Sequence, residues 1–147
     1  MIPLRLVIDT NIVISAALKP DGLQRTVLLL AITKPAGLYV SAPILAEYRE
    51  VLARPELKIR KGLRLQFLDL IRNHARIVNP MRPLQVAKDP DDNKFLECAD
   101  AARADYLLTL LEENQGDHLA RIHRHRGAAP DPVSFCIDET HPNKIMV

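Results

Sequence analysis

The feature that most constrains the fold of this chain is a short apolar run that ends at an acidic residue. Residues 4–8 are mostly large and apolar, and Asp9 follows them directly. A run of this kind with branched side chains is typical of a strand covered on both faces, as in a parallel sheet. A carboxylate at the point where a strand leaves the core is costly unless a cation lies beside it. The run therefore predicts a buried strand with a charged site at its carboxyl end.

Strand-like and helix-like segments alternate along the chain after this run. Apolar residues at helical spacing predict helices over residues 23–34, 44–52, 63–75 and 89–102. Short apolar segments between them predict strands at residues 38–40, 77–78 and 106–109. The alternation predicts an α/β fold with right-handed crossovers and a mainly parallel sheet. Ligand sites in such sheets form outside the carboxyl ends of the strands, which is where Asp9 lies.

Length and composition limit the number of domains and the location of the protein. The 147 residues, 48% of them hydrophobic, suffice for one domain and its core. A net charge of +2 permits binding to a polyanion but does not itself indicate it. Cys98 and Cys136 lack metal-type spacing, and Asp9 ends the first apolar stretch well before a signal core or a membrane span. We expect a single cytoplasmic domain over residues 1–147.

Three acidic positions are candidates for the charged site, and each also has a structural interpretation. Asp9 could be only a turn or helix-cap residue, and Glu47 could lie on a solvated helix face. Asp92 falls on an apolar helix stripe and is expected to point toward the sheet, although acids also favour helix N-termini. Asp89 and Asp91 crowd the same turn as Asp92. Like charges at this spacing repel unless a cation neutralises them.

Three segments taken together closely resemble the PIN-domain nucleases: residues 6–15 (LVIDTNIVIS), 41–47 (SAPILAE) and 89–99 (DPDDNKFLECA). More narrowly, they resemble the PIN-family toxins of bacterial and archaeal toxin–antitoxin pairs, which are VapC-like. The resemblance covers about residues 4–109 in order and spacing, and it is weak over residues 110–147.

The resemblance implies a three-layer α/β/α sandwich with a central mainly parallel sheet, and an endoribonuclease that depends on Mg²⁺ or Mn²⁺. Asp9, Glu47 and Asp92 match the catalytic, metal-binding acids of the family. Other matching positions would support them: Asn11, Ser15, Asp91 and Thr109. The resemblance also implies an RNA substrate, a cognate antitoxin protein, a homodimer and no membrane association. Oxygen-only ligands suit these hard cations, which can activate water for attack on a phosphodiester.

The chain departs from the family pattern directly after Thr109. The family usually continues into glycine and then an acid or amide, whereas this chain has leucine at positions 110 and 111. Asn114 or Asp117 could supply a possible fourth ligand after a short insertion. A catalytically weakened PIN module that binds RNA or a protein partner is therefore an alternative. A phosphotransfer domain with Asp9 as nucleophile ranks last, because that reading favours an acid at position 11, where this chain has asparagine.

Overall fold

The computed structural model describes residues 3–85, 87, 89–112, 118–124, 135–137 and 145–146, with side chains up to residue 109. The helices are α1 (Thr10–Leu18), α2 (Leu23–Ala31), α3 (Ala42–Leu52), α4 (Lys61–His74) and α5 (Asn93–Ala102). The strands are β1 (Arg5–Ile8), β2 (Gly37–Val40), β3 (Arg76–Ile77), β4 (Tyr106–Glu112), β5 (His118–Arg124), β6 (Phe135–Ile137) and β7 (Ile145–Met146). Within this described part, none of the helices combines the length and the apolar character needed to cross a membrane.

All seven strands belong to one sheet with the order β3-β2-β1-β4-β5-β6-β7. The four strands β3, β2, β1 and β4 run parallel, and Leu6 of β1 lies between Leu38 of β2 and Tyr106 of β4. The strands from β4 to β7 pair antiparallel. The parallel half brings the carboxyl ends of β1, β2 and β4 to the same edge of the sheet.

The central strands are buried on both faces. Val7 and Ile8 of β1 are fully buried, and in β2 both Leu38 and Val40 are fully buried with Tyr39 only 8% exposed between them. Successive side chains of a strand point to opposite faces, so burial of neighbouring residues requires cover on both sides. Helices provide that cover, and the chain forms the predicted three-layer α/β/α sandwich. The predicted fold class is confirmed.

Hydrogen bonds outside the sheet ladder fix β1 against the start of β4. The backbone N–H of Arg5 donates to Oδ2 of Asp105 (2.9 Å), and its guanidinium donates to the carbonyl of Ala102 (3.0 Å). At the other end of β1, the N–H of Asp9 donates to the carbonyl of Leu108 (2.8 Å). Asp9 is therefore held beside the strand residues that lead into Thr109.

The sequence pattern did not predict α1. This helix begins immediately after Asp9 and contains the branched run of residues 12–14. Branched side chains lower helix propensity, and Ile12 and Val13 are buried, so the segment lacks an amphipathic pattern. The pattern also did not predict the antiparallel strands β5 to β7, since residues 118–124 are rich in basic side chains. Tertiary pairing rather than local apolar alternation defines that region.

Candidate active site

A polar cleft of about 750 Å³ opens at the edge where the parallel strands end. Its walls come from the ends of β1 and β4, from α1 and α3, and from the turn that precedes α5. Six carboxylates and two cations line it: Asp9, Glu47, Glu50, Asp89, Asp91, Asp92, Arg54 and Lys94. The fold therefore brings the three predicted core acids into one cleft, although they are far apart in the sequence.

Asp9 is the innermost of these acids. Its Oδ2 accepts a hydrogen bond from the hydroxyl of Thr109 at 2.7 Å, and it is half-buried. Asp9 occupies the N-cap position of α1, but its side chain makes no capping hydrogen bond there. The backbone N–H groups of Thr10 and Asn11 at the start of α1 nevertheless lie close enough to lower its pKa, so this helix end contributes to stabilising the carboxylate. The parallel pairing of β1 with β4 ends at Ile8 and Leu108, and it places Asp9 and Thr109 together just beyond that point.

Glu47 enters the cleft from α3. The buried face of this helix contains Ile44, Tyr48 and Val51, and Glu47 lies half-buried at its border, as the helical spacing predicts. Its Oε1 accepts a hydrogen bond from the Thr10 hydroxyl at 2.5 Å. Its Oε2 accepts a hydrogen bond from the ammonium of Lys94. Both oxygens of Glu47 are thus engaged by side chains from other helices.

Asp92 lies on a 3₁₀ turn, Pro90–Asp92, that precedes α5. The cap at Asp89 has the expected form, since Oδ1 of Asp89 accepts a hydrogen bond from the N–H of Asp91 at 3.0 Å. Asp92 lines the cleft and is exposed, whereas the helical spacing predicted that it points toward the sheet. A 3₁₀ turn advances by about 120° per residue instead of about 100°, so the α-helical projection does not apply before Asn93.

The acids of the cleft lie close enough to affect one another's pKa values. Burial raises the pKa of Asp9 above its ordinary value, the hydrogen bond from Thr109 opposes that rise, and the charge of Glu47 adds to it. The pKa of Asp92 is also raised, first by desolvation and then by the charges of Asp9, Asp89, Glu47 and Asp91. The negative charges therefore repel one another across the cleft, and a cation bound there would relieve the repulsion.

Tyr48 fixes the strand end that presents Asp9. This side chain is fully buried, and its hydroxyl donates a hydrogen bond to the carbonyl of Ile8. Burial, followed by the charges of Asp9 and Cys98, raises the pKa of Tyr48 well above its ordinary value. The hydroxyl therefore stays protonated and acts as a donor. It connects α3 to the last residue of β1.

The remaining predicted residues differ in whether they line the cleft. Asn11 and Asp91 line the cleft and are exposed. Ser15 is half-buried on α1 and is not among the described residues that line the cleft, so its predicted supporting role rests on the resemblance alone. Asn114 and Asp117, the possible fourth ligands, lie outside the described residues.

Sequence reasoning did not identify Thr10, Lys94 or Tyr48 as site residues. Thr10 lies next to Asp9, and Lys94 lies two positions after Asp92, so adjacency to the acids was the available signal. Their contacts could not be predicted, since Glu47 is 37 residues from Thr10 and 47 residues from Lys94. These pairs arise only when α1, α3 and α5 meet at the sheet edge.

The donor set of the cleft fits a hard divalent cation. Asp9, Glu47 and Asp92 offer only carboxylate oxygens, the ligands that Mg²⁺ and Mn²⁺ prefer. Among the side chains that the structure describes, no three acidic, histidine or cysteine groups are arranged closely enough to hold an ion. The contacts of Glu47 with Thr10 and Lys94 direct its carboxylate to protein partners. Ion binding would therefore require these side chains to rearrange.

Comparison with known proteins agrees with this geometry. A family model described as the PIN domain matches residues 5–110. The chain belongs to the PIN domain family. An uncharacterized protein from Methanocaldococcus jannaschii is 31% identical over 143 residues, which cover 91% of this chain and 90% of that protein. No solved structure shows significant similarity to the chain. PIN domains are generally nucleases, so the family implies a nuclease-type function.

The contact between Thr109 and Asp9 in this PIN domain leads to a test of the site. Thr109→Val keeps the shape of the side chain and removes the hydroxyl. Because that hydrogen bond lowers the pKa of Asp9, its loss should raise this pKa further. We expect Mn²⁺ affinity near neutral pH to fall about tenfold, as for loss of an outer-shell partner. The decline in binding with acidification should also begin at a higher pH.

The matched control for this substitution is Thr33→Val. Thr33 is exposed and follows the end of α2, away from the cleft, and its hydroxyl donates to the carbonyl of Leu29 at 2.6 Å. Calorimetric titration with Mn²⁺ over a pH series should show no change for this variant. If Mn²⁺ binding by Thr109→Val and by Thr33→Val depends on pH in the same way, the hydroxyl of Thr109 does not affect the pKa of Asp9.

Proposed function

We propose that this PIN domain is a Mg²⁺- or Mn²⁺-dependent endoribonuclease and the toxin component of a toxin–antitoxin pair. The observation that carries the proposal is that Asp9, Glu47 and Asp92 share one cleft and interact electrostatically. Carboxylates crowded in this way at the carboxyl edge of a parallel sheet would form a site for a divalent cation once their side chains rearrange. The family and the sequence resemblance to PIN-family toxins support the choice of reaction and of biological role.

The side chains of the cleft would have different roles in hydrolysis. Asp9 and Asp92 would hold the ion, and Glu47 would hold one of its waters or orient the attacking water. A bound ion would supply charge neutralisation at the phosphate and a lower pKa for the attacking water. Thr109 and Thr10 donate to Asp9 and Glu47 and fix the orientation of those carboxylates. Arg54 and Lys94 line the same cleft and can attract the RNA phosphates.

The direct test is cleavage of a single-stranded RNA by the purified protein. Mn²⁺ and Mg²⁺ should support cleavage, EDTA should stop it, and a DNA strand of the same sequence should be cut poorly. Asp92→Asn should lower the rate at least tenfold, because it removes one oxygen ligand. Asp21→Asn is the matched control, since Asp21 is an exposed acid outside the cleft. Cleavage that persists in EDTA, or that survives Asp92→Asn unchanged, contradicts the proposal.

A second candidate function is a catalytically weakened module that binds RNA or a protein partner. The observation that favours it is the course of β4, which continues as a strand through Leu111 to Glu112 and pairs with β5. The position at which the resemblance predicts a polar fourth ligand therefore lies within a strand. An inert wild-type protein that gains cleavage activity on Leu111→Asp would favour this candidate over the active nuclease.

The toxin role extends the proposal to two partners. A cognate antitoxin would cover the acidic cleft, and a homodimer would be the working form, as the resemblance to PIN-family toxins implies. Expression of the wild-type chain alone should arrest bacterial growth, whereas the Asp92→Asn variant should not. Equal growth of both cultures would contradict the toxin role but not the nuclease activity.

A further inference from the structure

Lys94 is the cation closest to the acids of the cleft. It lies on the first turn of α5, and its ammonium forms an ion pair with Oε2 of Glu47 on α3. The pair is partly buried, with 24% of the Lys94 side chain and 22% of the Glu47 side chain exposed. Burial acts to lower the pKa of Lys94, but Glu47, with Asp91 and Glu50, outweighs it and raises that pKa. Lys94 is therefore charged at neutral pH.

The ion pair affects more than two residues. Glu47 receives Lys94 from α5 on one oxygen and Thr10 from α1 on the other, so its carboxylate joins three helices. Lys94 also supplies a positive charge where six carboxylates line the cleft. A positive charge at this position neutralises part of the negative charge that these carboxylates place in the cleft. Lys94 thus supplies to the cleft part of the positive charge that a bound cation would supply.

The same contact places Lys94 in competition with a metal ion. While the ammonium holds Oε2 and Thr10 holds Oε1, each oxygen of Glu47 already accepts one hydrogen bond. A divalent ion near Glu47 would also be repelled by a positive charge within contact distance. The ion must therefore separate Lys94 from Glu47 before that carboxylate can serve the ion or its waters.

We propose that Lys94 is a built-in counter-ion that occupies Glu47 in the metal-free protein and is displaced when a divalent cation binds. This inference rests on the proposed metal site and deepens it, because Lys94 then sets the ion concentration at which the site fills. Removal of the ammonium should favour the metal-bound form and disfavour the metal-free form. A lysine that only stabilised the fold would change stability without changing ion affinity.

The experiment measures Mn²⁺ affinity from the electron paramagnetic resonance signal of free Mn²⁺, with no reliance on RNA cleavage. Lys94→Met should bind Mn²⁺ about tenfold more tightly than the wild type, or about 1.4 kcal/mol. Lys94→Arg keeps the charge and should stay close to the wild type. Arg54→Met is the matched control, since Arg54 lines the same cleft but is exposed and is not paired with Glu47 in the described part of the chain. It should tighten binding by less than about threefold, through screened long-range charge alone.

A second pair of measurements separates competition from a general charge effect. In a Glu47→Gln background, Lys94→Met should change the Mn²⁺ affinity by no more than Arg54→Met does, because the ion pair is already absent. In EDTA, Lys94→Met should melt at a lower temperature than the wild type, and saturating Mn²⁺ should reverse the order.

The outcomes distinguish this inference from the proposed function. Mn²⁺ binding that is equal or weaker in Lys94→Met overturns the role of Lys94 and leaves the metal site in place. Tightening of equal size in Lys94→Met and Arg54→Met also overturns it, because displacement from Glu47 would then be unnecessary. If neither the wild type nor Lys94→Met binds Mn²⁺ at millimolar concentration, the proposed metal site fails, and the inference fails with it.

Discussion

Asp9→Asn is expected to lower metal-dependent RNA cleavage at least about a hundredfold while the protein remains folded. Asparagine has nearly the same shape and can still accept the hydrogen bond from Thr109, so the local packing is kept. It cannot supply a negative charge to a cation. Cleavage rates measured at saturating Mn²⁺, together with the far-ultraviolet circular dichroism spectrum, test this expectation. A variant that is folded and fully active would remove Asp9 from the catalytic site.

The same substitution should stabilise the metal-free protein at neutral pH. The pKa of Asp9 in the folded protein lies above its ordinary value of 3.8, and burial is the largest cause. The fold therefore favours the neutral form of Asp9, and this contribution to stability is present below about pH 3.8 and is lost as the pH rises through the folded-state pKa. Asparagine removes the buried charge, so the melting temperature in EDTA should exceed that of the wild type above this pH window.

Saturating Mn²⁺ should give the opposite order of stability. A cation that binds only the folded wild type raises its melting temperature by mass action, whereas Asp9→Asn should gain little. Asp21→Asn, an exposed acid outside the cleft, should behave as the wild type with and without the ion. A melting temperature of Asp9→Asn below that of the wild type in EDTA would contradict the pKa argument without contradicting the catalytic one.

Tyr48→Ala is expected to have the largest effect on stability among substitutions near the site, about 3–5 kcal/mol. The side chain is fully buried between α3 and the sheet, so its removal leaves a cavity. Tyr48→Phe isolates the hydroxyl and should cost about 1–3 kcal/mol, because the buried carbonyl of Ile8 loses this donor. Urea unfolding of both variants measures these free energies.

The control for the loss of a hydroxyl is Tyr39→Phe. Tyr39 is also in the core, at 8% exposure, but its hydroxyl only accepts a hydrogen bond from the guanidinium of Arg76 at the sheet edge. Solvent can replace the acceptor for Arg76, so the cost should be below about 0.5 kcal/mol. Equal decreases in the free energy of unfolding for Tyr39→Phe and Tyr48→Phe would show that the hydrogen bond from Tyr48 to Ile8 stabilises the fold no more than the one between Arg76 and Tyr39.

The parts of the fold that follow from local periodicity were predictable from the sequence. The strand that ends at Asp9 and the helix that presents Glu47 at the border of its apolar face both have the predicted form. The position of Asp92 was not predictable in detail, because the 3₁₀ turn changes the angular spacing before α5. The sequence did not predict helix α1 because residues 12–14 are all branched, with Ile12 and Val13 buried, and show no helical periodicity.

The contacts that tune the candidate site depend on tertiary structure. Thr10, Lys94 and Glu47 meet only because α1, α3 and α5 come together at one edge of the sheet. No local pattern in the sequence predicts these contacts. The acids could be predicted as candidates from residue type and from their position next to strands and helices. The partners of each carboxylate could be identified only from the tertiary structure.

The bond between Asp9 and Thr109 spans 100 residues of chain. During synthesis the ribosome releases the N-terminus first, so Asp9 emerges long before the strand that carries Thr109. Loop closure over this distance must precede the formation of the site. A nascent or truncated chain that ends before β4 therefore lacks the complete surroundings of Asp9, and the candidate site is assembled only late in translation.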